Sequence, residues 1–290
     1  MKNVVVLGGG TGLSVLLRGL KLFPINITAV VSVADDGAST GRLREEFDIP
    51  AVGDLRNVLV SLSEVEPIVS DLLQYRFDTY SDLDKHAMGN LLLTAMYNIT
   101  GSLTESLDSL SKIFNLKGRV LPFTEDKAIL VATTQDGEVI EGESNITKAG
   151  KQIKTIKYKN KVHATPMVLE AIKNADLIII GIGSLYTSII PNLLTREMKK
   201  ALKDSKAKKM YICNIMSEHG ETDGYQVSDC IKQINKYVDK NFIDVVLANK
   251  KIVPDNVLKF YQNEKSSQIM IDRENIQAMG VKLITADLLY

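Results

Sequence analysis

The stretch VVVLGGGTGLSVLLRGL, residues 4–20, decides the fold of this chain. Its first five residues form a short, largely β-branched run without polar alternation, which is typical of a buried parallel strand. A turn of four glycines and one threonine follows, and then Leu13, Leu16, Leu17 and Leu20 recur at the spacing of one helix face. The stretch therefore predicts a strand, a tight glycine turn and a helix, an arrangement that often holds a phosphate.

The same pattern of strands and helices continues along the chain. Residues 26–33 have the composition of a second buried strand, which predicts a parallel sheet with a right-handed crossover. Further strands, with helices between them, are predicted at residues 176–184, 208–216, 242–249 and 281–289. We therefore expect an α/β, Rossmann-like, doubly wound fold around a mostly parallel sheet of about six strands.

Two segments interrupt this pattern. Residues 53–115 have helical periodicity, and we expect them to form a helical subdomain. Two β-rich arms flank Asp136-Gly137, which is a strong hairpin signal, and the hairpin is expected to form an insertion at residues 124–160. Because no low-complexity linker divides the chain, we expect both segments to belong to one Rossmann-like domain over residues 1–290.

Composition argues against several classes of protein. The 35 lysines and arginines equal the 35 aspartates and glutamates, so no net charge favours nucleic acid or an anionic membrane. A run of six lysines at residues 148–163 fits a protected sheet edge better than a nucleic-acid site. We find no secretory signal, no apolar run that could span a membrane and too few cysteines for a disulfide framework. We therefore expect a cytoplasmic protein with no nucleic-acid partner and no membrane span.

The first two candidate sites follow the first two predicted strands. The glycine turn suits a phosphate, but its spacing matches neither the dinucleotide fingerprint nor the P-loop, which makes an NAD-dependent oxidoreductase the weakest alternative. In VADDGASTGRLREEF, residues 33–47, Asp35 and Asp36 could hold a ribose, a divalent cation or an acceptor hydroxyl. The side chains there that could bind a phosphate are Ser39, Thr40, Arg42 and Arg44. The alternative is a capped helix with a solvated face.

Four more stretches carry polar residues or glycines that suit a pocket. They are GDLRN (53–57), HAMGNLLLTAM (86–96), GIGSLYTSIIPNLL (181–194) and ICNIMSEHGETDGY (212–225). In the third, Ser184 could cap the helix that follows and form a second phosphate turn, whereas Gly89 and Asn90 in the second are equally explained by close helix packing. The expected nucleotide- or phosphate-binding residues are Gly8, Gly9, Gly10, Thr11, Gly12, Ser39, Thr40, Arg42, Asn57, Asn90, Gly183, Ser184, Ser188 and Asn214. Asp35 and Asp36 are the candidates for catalysis and for binding Mg²⁺.

Together and in this order, the motifs resemble the YvcK-type proteins, the gluconeogenesis factors of bacteria. That group is similar in fold to the 2-phospho-L-lactate transferase. The resemblance extends over essentially the whole chain and is most specific at ADDGASTGRLR (34–44) and GSLYTSIIPNLL (183–194). The chain departs from the family pattern at Ala38, where glycine is frequent, at Ile182, where proline is common, and at SEHGET (217–222).

The resemblance implies a cytoplasmic protein that binds a nucleotide diphosphate of the UDP-sugar type, notably UDP-N-acetylglucosamine. It implies a role in cell shape and in growth on gluconeogenic carbon, with protein partners in cell-wall synthesis. The alternative that it implies is a transferase of a phosphorus-containing group that uses Mg²⁺. In both cases the turns at 8–12 and 183–188 would face the nucleotide. Whether a reaction is catalysed, and whether the chain forms a homo-oligomer, stay open.

Overall fold

The computed structural model describes residues 1–64 and 67–289, which form two sheets with helices around them. The strands are β1 (Lys2–Gly8), β2 (Ile25–Val31), β3 (Arg119–Pro122), β4 (Leu130–Thr134), β5 (Val139–Glu141), β6 (Ile153–Tyr158), β7 (Leu177–Ile180), β8 (Lys208–Ile212), β9 (Val245–Asn249) and β10 (Lys282–Ala286). Within the described residues the larger sheet has seven strands in the order β10-β9-β8-β7-β1-β2-β3, and all its pairings are parallel. The predicted α/β, Rossmann-like fold class is thereby confirmed.

The α-helices connect these strands and pack on the sheet. They are α1 (Gly10–Leu20), α2 (Ala38–Phe47), α3 (Gly53–Leu62), α4 (Pro67–Gln74), α5 (Met88–Thr100), α6 (Leu103–Ile113), α7 (Glu143–Ala149), α8 (Pro166–Lys173), α9 (Arg196–Asp204), α10 (Val227–Tyr237), α11 (Asp255–Gln262) and α12 (Arg273–Ala278). A π-helix (Leu185–Ile189) and a 3₁₀-helix (Ile190–Leu193) follow β7. No helix of the described ranges is long and apolar enough to cross a membrane.

The order of the strands determines where a ligand can bind. From β1 the chain builds outward through β2 to β3, and later returns to the other side of β1 with β7. The sheet therefore has its topological switch point between β1 and β7, and such folds bind ligands in the crevice beyond this point. Gly8 is level with Val31 on β2, and Leu7 is level with Ile180 on β7, so three strand ends meet there.

Apolar residues on both faces of the sheet form the core. Val6 and Leu7 on β1 are wholly buried, as are Leu13 and Leu17 on α1, which lie one helical turn apart. Burying a side chain of this kind contributes about 1.5–3 kcal/mol. The leucine spacing of the opening stretch therefore fixes α1 against the sheet and holds the glycine turn at the switch point.

The second sheet is antiparallel and has the strand order β5-β4-β6 in the described chain. Its hairpin turns at the predicted position, where Gly137 has φ of +89°. The lysine-rich segment supplies β6, an edge strand, and Lys151 and Lys159 at its two ends form ion pairs with Glu138 and Glu141. Lysine on an exposed edge opposes pairing with a second chain.

The expected count of about six parallel strands was wrong by one. The missed strand, β3, is only four residues long, ends in Pro122 and lies at the edge of the sheet. It has too few residues to show a period, and proline is tolerated there because an edge strand need not donate on both sides. The strand predicted at 176–184 ends earlier, at Ile180, because the chain turns at Gly181.

Candidate functional site

The turns after β1 and β7 lie in direct contact at the switch point. A Cβ atom added to Gly183 would lie 2.8 Å from the carbonyl oxygen of Gly9. A Cβ on Gly12 would lie 2.8 Å from Cγ2 of Ile182, and one on Gly8 would lie 3.1 Å from the Ile182 carbonyl oxygen. These glycines thus allow two turns to pack on each other. Gly10, with φ of +70°, instead borders open space.

A carboxylate already caps the first turn. The Gly10 amide at the start of α1 donates a hydrogen bond of 2.7 Å to Oδ2 of Asp54, a residue of α3. Burial raises the pKa of Asp54 to about 6 and Asp35 raises it further, whereas the Gly10 amide and Arg56 act in the opposite direction. The helix end that sequence patterns assign to a phosphate therefore holds a protein carboxylate.

A second carboxylate caps the turn after β7. Oε2 of Glu221 accepts a 2.7 Å hydrogen bond from the amide of Tyr186, and Oε1 accepts one of 2.9 Å from the Thr187 hydroxyl. Glu221 is buried, and this burial raises its pKa to about 8. The expectation that Ser184 caps this helix was wrong, because its side chain makes no cap in the described structure. Ser184 instead lies beside Glu218, whose pKa burial also raises.

Asp36 and Asp35 have different surroundings. Both carboxylate oxygens of Asp36 accept backbone hydrogen bonds, from Glu143 at 3.0 Å and Ser144 at 2.8 Å, and so cap α7. Asp35 uses Oδ1 to accept a 2.9 Å bond from the Gly37 amide, and its Oδ2 points toward Gly53. Asp36 therefore ties the insertion to the core, whereas Asp35 keeps one oxygen for the cleft beside it.

That cleft has a volume of about 250 Å³ and lies between α2, α3 and α5. Five predicted site residues line it together, namely Asp35, Ser39, Thr40, Asn57 and Asn90. Its other lining residues are Gly37, Ala38, Gly53, Asp54, Arg56 and Arg76. The remaining predicted residues are not part of this lining: Gly8, Gly9, Gly10, Thr11, Gly12, Asp36, Arg42, Gly183, Ser184, Ser188 and Asn214. A larger cavity of about 780 Å³, around Asn3, Ile25 and Arg119 at the opposite edge of the sheet, contains none of the predicted residues.

The positive charge of the cleft comes from other arginines than the sequence suggested. Arg42 donates to the backbone carbonyls of Asp82 and Asp84, and the buried Arg44 donates to those of Ala34, Asp35 and Ala128. Both guanidinium groups hold loops in place and neither lines the cleft. Arg56 and Arg76 line it instead, and the GDLRN motif was the available signal for Arg56.

Two buried polar atoms in the cleft have no hydrogen-bond partner among the described residues. They are Nε of Arg56, whose side chain is 8% exposed, and Oδ1 of Asn90, which is 1% exposed. Native proteins leave few such atoms unpaired, because each costs about 1–3 kcal/mol. One is a donor and the other an acceptor, and both belong to side chains that line the cleft.

A hydrogen-bonded chain fixes Ser39 at the edge of the cleft. Its Oγ lies 2.9 Å from Nδ1 of His86 and accepts a 3.2 Å bond from Nδ2 of Asn90. Burial lowers the pKa of His86, so the imidazole is neutral near pH 7. His86 was not among the sequence candidates, although it begins the HAMGN motif.

Asn214 lies at the rim between β7 and β8. Its Nδ2 donates a 2.9 Å bond to the carbonyl of Gly183, and its buried Oδ1 has no partner in the described chain. Asn192, in the 3₁₀-helix after β7, donates to the carbonyls of Gly8, at 3.3 Å, and Ser188, at 2.9 Å. Asn192 thus ties the segment after β7 to the end of β1, and Asn214 ties the segment after β8 to the turn after β7.

The carboxylates of the cleft suit a Mg²⁺ ion that is also bound by a ligand better than they suit a metal site made of protein side chains alone. No group of three or more His, Cys, Asp or Glu side chains within residues 1–64 and 67–289 is arranged to hold a metal ion. Asp35 and Asp54 both line the cleft, and Mg²⁺ commonly uses one or two carboxylates together with ligand phosphates. Burial, and then the charges of Asp35, Asp36 and Asp54, raise the pKa of Glu143 to about 7. Bound Mg²⁺ would offset this concentration of negative charge.

Ala38 adopts a strained backbone conformation at the start of α2, with φ of +42°. We expect Ala38→Gly to raise the free energy of unfolding by about 0.5–1 kcal/mol, because a left-handed non-glycine residue costs about 1–2 kcal/mol and the lost chain entropy takes back part of it. Chemical denaturation of both proteins measures this difference. A matched Ala171→Gly change in the middle of α8 should lower stability by about 1 kcal/mol. Equal losses in both variants would contradict the strain at Ala38.

The likeness to known proteins extends over almost the whole chain. The sequence matches the family model of 2-phospho-L-lactate transferase CofD over residues 4–289. A gluconeogenesis factor of Halalkalibacterium halodurans is 49% identical over 286 residues, which are 98% of this chain and 88% of that protein. A gluconeogenesis factor of Bacillus subtilis is 46% identical over 283 residues, or 97% of this chain and 89% of that protein. A crystal structure of a Bacillus halodurans protein, 48% identical, superposes with a TM-score of 0.96 and covers 99% of this chain and 92% of that one.

Proposed function

Since this chain belongs to the family of 2-phospho-L-lactate transferase CofD and is similar over its length to gluconeogenesis factors, we propose that it binds a nucleoside diphosphate ligand. The proposed ligand is of the UDP-sugar type, with UDP-N-acetylglucosamine as the first candidate. It would bind in the cleft between α2, α3 and α5, beyond the carboxyl end of β2, and α/β folds hold their ligands outside the carboxyl ends of their strands.

The pair of unpartnered atoms, Arg56 Nε and Asn90 Oδ1, carries this proposal. A nucleotide sugar offers both partners, since its phosphate, carbonyl and amide oxygens accept hydrogen bonds and its hydroxyl and N–H groups donate them. The neighbouring guanidinium of Arg76 adds charge for the diphosphate. We propose that the protein acts in the cytoplasm as a gluconeogenesis factor that senses this ligand and affects cell shape through partners in cell-wall synthesis.

A transferase of a phosphorus-containing group is the second candidate, and Asp54 is the observation that favours it. Its pKa of about 6 and its place beside Asp35 suit a group that accepts a proton from an attacking hydroxyl near neutral pH. Mg²⁺, when bound by Asp35, would supply charge to the phosphoryl oxygens. The hydrogen bond from Gly10 to Asp54 would hold the carboxylate in place.

Calorimetric titration with UDP-N-acetylglucosamine, with and without Mg²⁺, tests the first candidate. We expect saturable binding with the ligand recovered intact by chromatography. Recovery of UDP or UMP would identify the transferase instead. If no UDP-sugar binds, the proposed ligand class is wrong, and guanosine diphosphate donors would be titrated next.

Asp54→Asn separates the two candidates by kinetics. For a transferase we expect kcat to fall at least 100-fold and the dependence on a group with pKa near 6 to disappear. For a binding protein the same variant should change only the affinity. Asp108→Asn is the control, because Asp108 lies on the surface of α6 and pairs with Lys112. A transferase whose rate and pH profile survive Asp54→Asn would contradict the assigned role.

A further inference from the structure

Two turns of the same kind lie side by side at the carboxyl ends of the neighbouring strands β1 and β2. Helix α1 follows β1 and begins at Gly10 with φ of +70°, and α2 follows β2 and begins at Ala38 with φ of +42°. A left-handed residue followed by helical ones makes successive amide groups converge on one point, which suits an anion. Each turn could therefore hold a phosphoryl group.

In the first turn, a carboxylate of the protein already occupies the position of the anion. Oδ2 of Asp54 is 2.7 Å from the Gly10 amide, and a Cβ on Gly9 would lie 2.8 Å from the same oxygen. A phosphoryl oxygen bound at this amide would have to displace a carboxylate or lie against it. Like charges at such separations repel strongly in a partly buried site.

In the described structure, the second turn binds a carboxylate only at its first residue, where Asp35 accepts a hydrogen bond from the Gly37 amide. Its N-cap residue is Gly37, and no side chain of the described chain accepts a hydrogen bond from the amides of Ala38, Ser39 or Thr40. Helix α2 has ten residues, so its N-terminus carries a full dipole. All four residues of this turn line the cleft.

Unsatisfied side chains converge on the same turn. Arg56, 8% exposed, and Asn90, 1% exposed, both line the cleft, and each has a buried polar atom without a partner in the described chain. The charges around the turn are Arg56 and Arg76, opposed by Asp35 and Asp54. Because the Oδ1 atom of Asn90 is an acceptor, it suits a hydroxyl or N–H on the group attached to a phosphoryl, not the phosphoryl itself.

We propose that a phosphoryl group binds at the N-terminus of α2, against the amides of Ser39 and Thr40 and the guanidinium of Arg56. The glycine turn of β1 serves as a structural lock that is closed by Asp54. This inference deepens the proposed function by placing the phosphoryl group of the ligand. It rests on the proposed function only for the identity of the group attached to that phosphoryl.

Amide NMR titration with inorganic phosphate and with pyrophosphate tests the assignment. We expect the largest shifts at the amides of Ser39 and Thr40, with small shifts at Thr11 and Gly12. Arg56→Gln should weaken pyrophosphate binding at least tenfold, because an arginine–phosphate pair is charge-assisted and frequently bidentate. Arg56→Lys keeps the charge and should retain part of the affinity, which separates loss of charge from loss of fold.

Arg42→Gln is the matched control. Arg42 lies on α2 itself, but its guanidinium binds the carbonyls of Asp82 and Asp84, so we expect less than a twofold change. Larger shifts at Thr11 and Gly12, equal losses in both arginine variants, or no shift with either anion would overturn the assignment. Binding of UDP-sugar with shifts at the glycine turn would refute this inference and keep the proposed function. Shifts at Ser39 and Thr40 without any UDP-sugar binding would do the reverse.

Discussion

Gly183→Ala should lower the free energy of unfolding by about 2–4 kcal/mol. Gly183 has φ of +149°, and a Cβ there would lie 2.8 Å from the Gly9 carbonyl oxygen and 3.1 Å from the Cβ of Ser188. Backbone strain of this kind costs about 1–3 kcal/mol, and overpacking costs a similar amount. Since the clash is with backbone, one of the two glycine turns must move.

Denaturant unfolding of the variant and of the parent protein measures this loss. Gly19→Ala is the matched control, because a Cβ at Gly19 meets nothing within 4 Å and the residue lies inside α1. This change should raise stability by about 0.5–1 kcal/mol, the helix propensity that alanine gains over glycine. If Gly183→Ala were as stable as the parent protein, the contact between the turns would not constrain the site.

Glu221→Gln should be more stable relative to the parent protein at pH 8 than at pH 5. Burial raises the pKa of Glu221 from 4.5 to about 8, and the charge of the neighbouring Glu218 adds to the shift. The folded state therefore holds a proton between these two pH values that the unfolded chain releases. This stabilisation is complete below pH 4.5 and is lost as the pH rises through the folded pKa near 8.

The expected change in the difference between the two proteins is about 1.4 kcal/mol per pH unit within that window. Unfolding curves at half-unit steps from pH 5 to pH 8 measure it, and taking the difference cancels every group that the two proteins share. Glutamine keeps an oxygen to accept the Tyr186 amide, so its own cost is independent of pH. A constant difference across the range would mean that Glu221 is ionised in the folded protein. Glu264→Gln, at an exposed position, should show no slope.

The opening stretch predicted the core of the fold because its signals are local and agree. The β-branched run, the glycines and the leucine period each indicate one element, and β1 and α1 lie where they predict. Strand β3 lacked such signals because four residues cannot show a period, and its place is set by pairing with the distant β2. Local patterns thus predicted the unit that builds the sheet, and tertiary pairing determined its edge.

Sequence patterns were less informative about the site. Asp35, Ser39, Thr40, Asn57 and Asn90 line one cleft, whereas the predicted residues of the two glycine turns do not line it. Asp54 and Glu221 lie in stretches that the sequence singled out, but their capping roles were not predicted, because a capping carboxylate can come from anywhere in the chain and no spacing marks it. Arg42 and Arg56 illustrate the same limit, since both lie in polar motifs. Only the folded structure shows that Arg42 holds a loop and that Arg56 lines the cleft.

The bond between Asp36 and the insertion has a consequence for the newly made chain. Asp36 accepts its hydrogen bonds from residues 107 and 108 positions later, whereas the Asp54 cap of α1 spans only 44 positions. At a synthesis rate of about 5–20 residues per second, the segment after β2 leaves the ribosome roughly 5–20 s before its partner is made. During that interval the acidic loop still lacks its final anchor. The first strand–helix unit can therefore reach its native contacts early, whereas the cleft reaches them late.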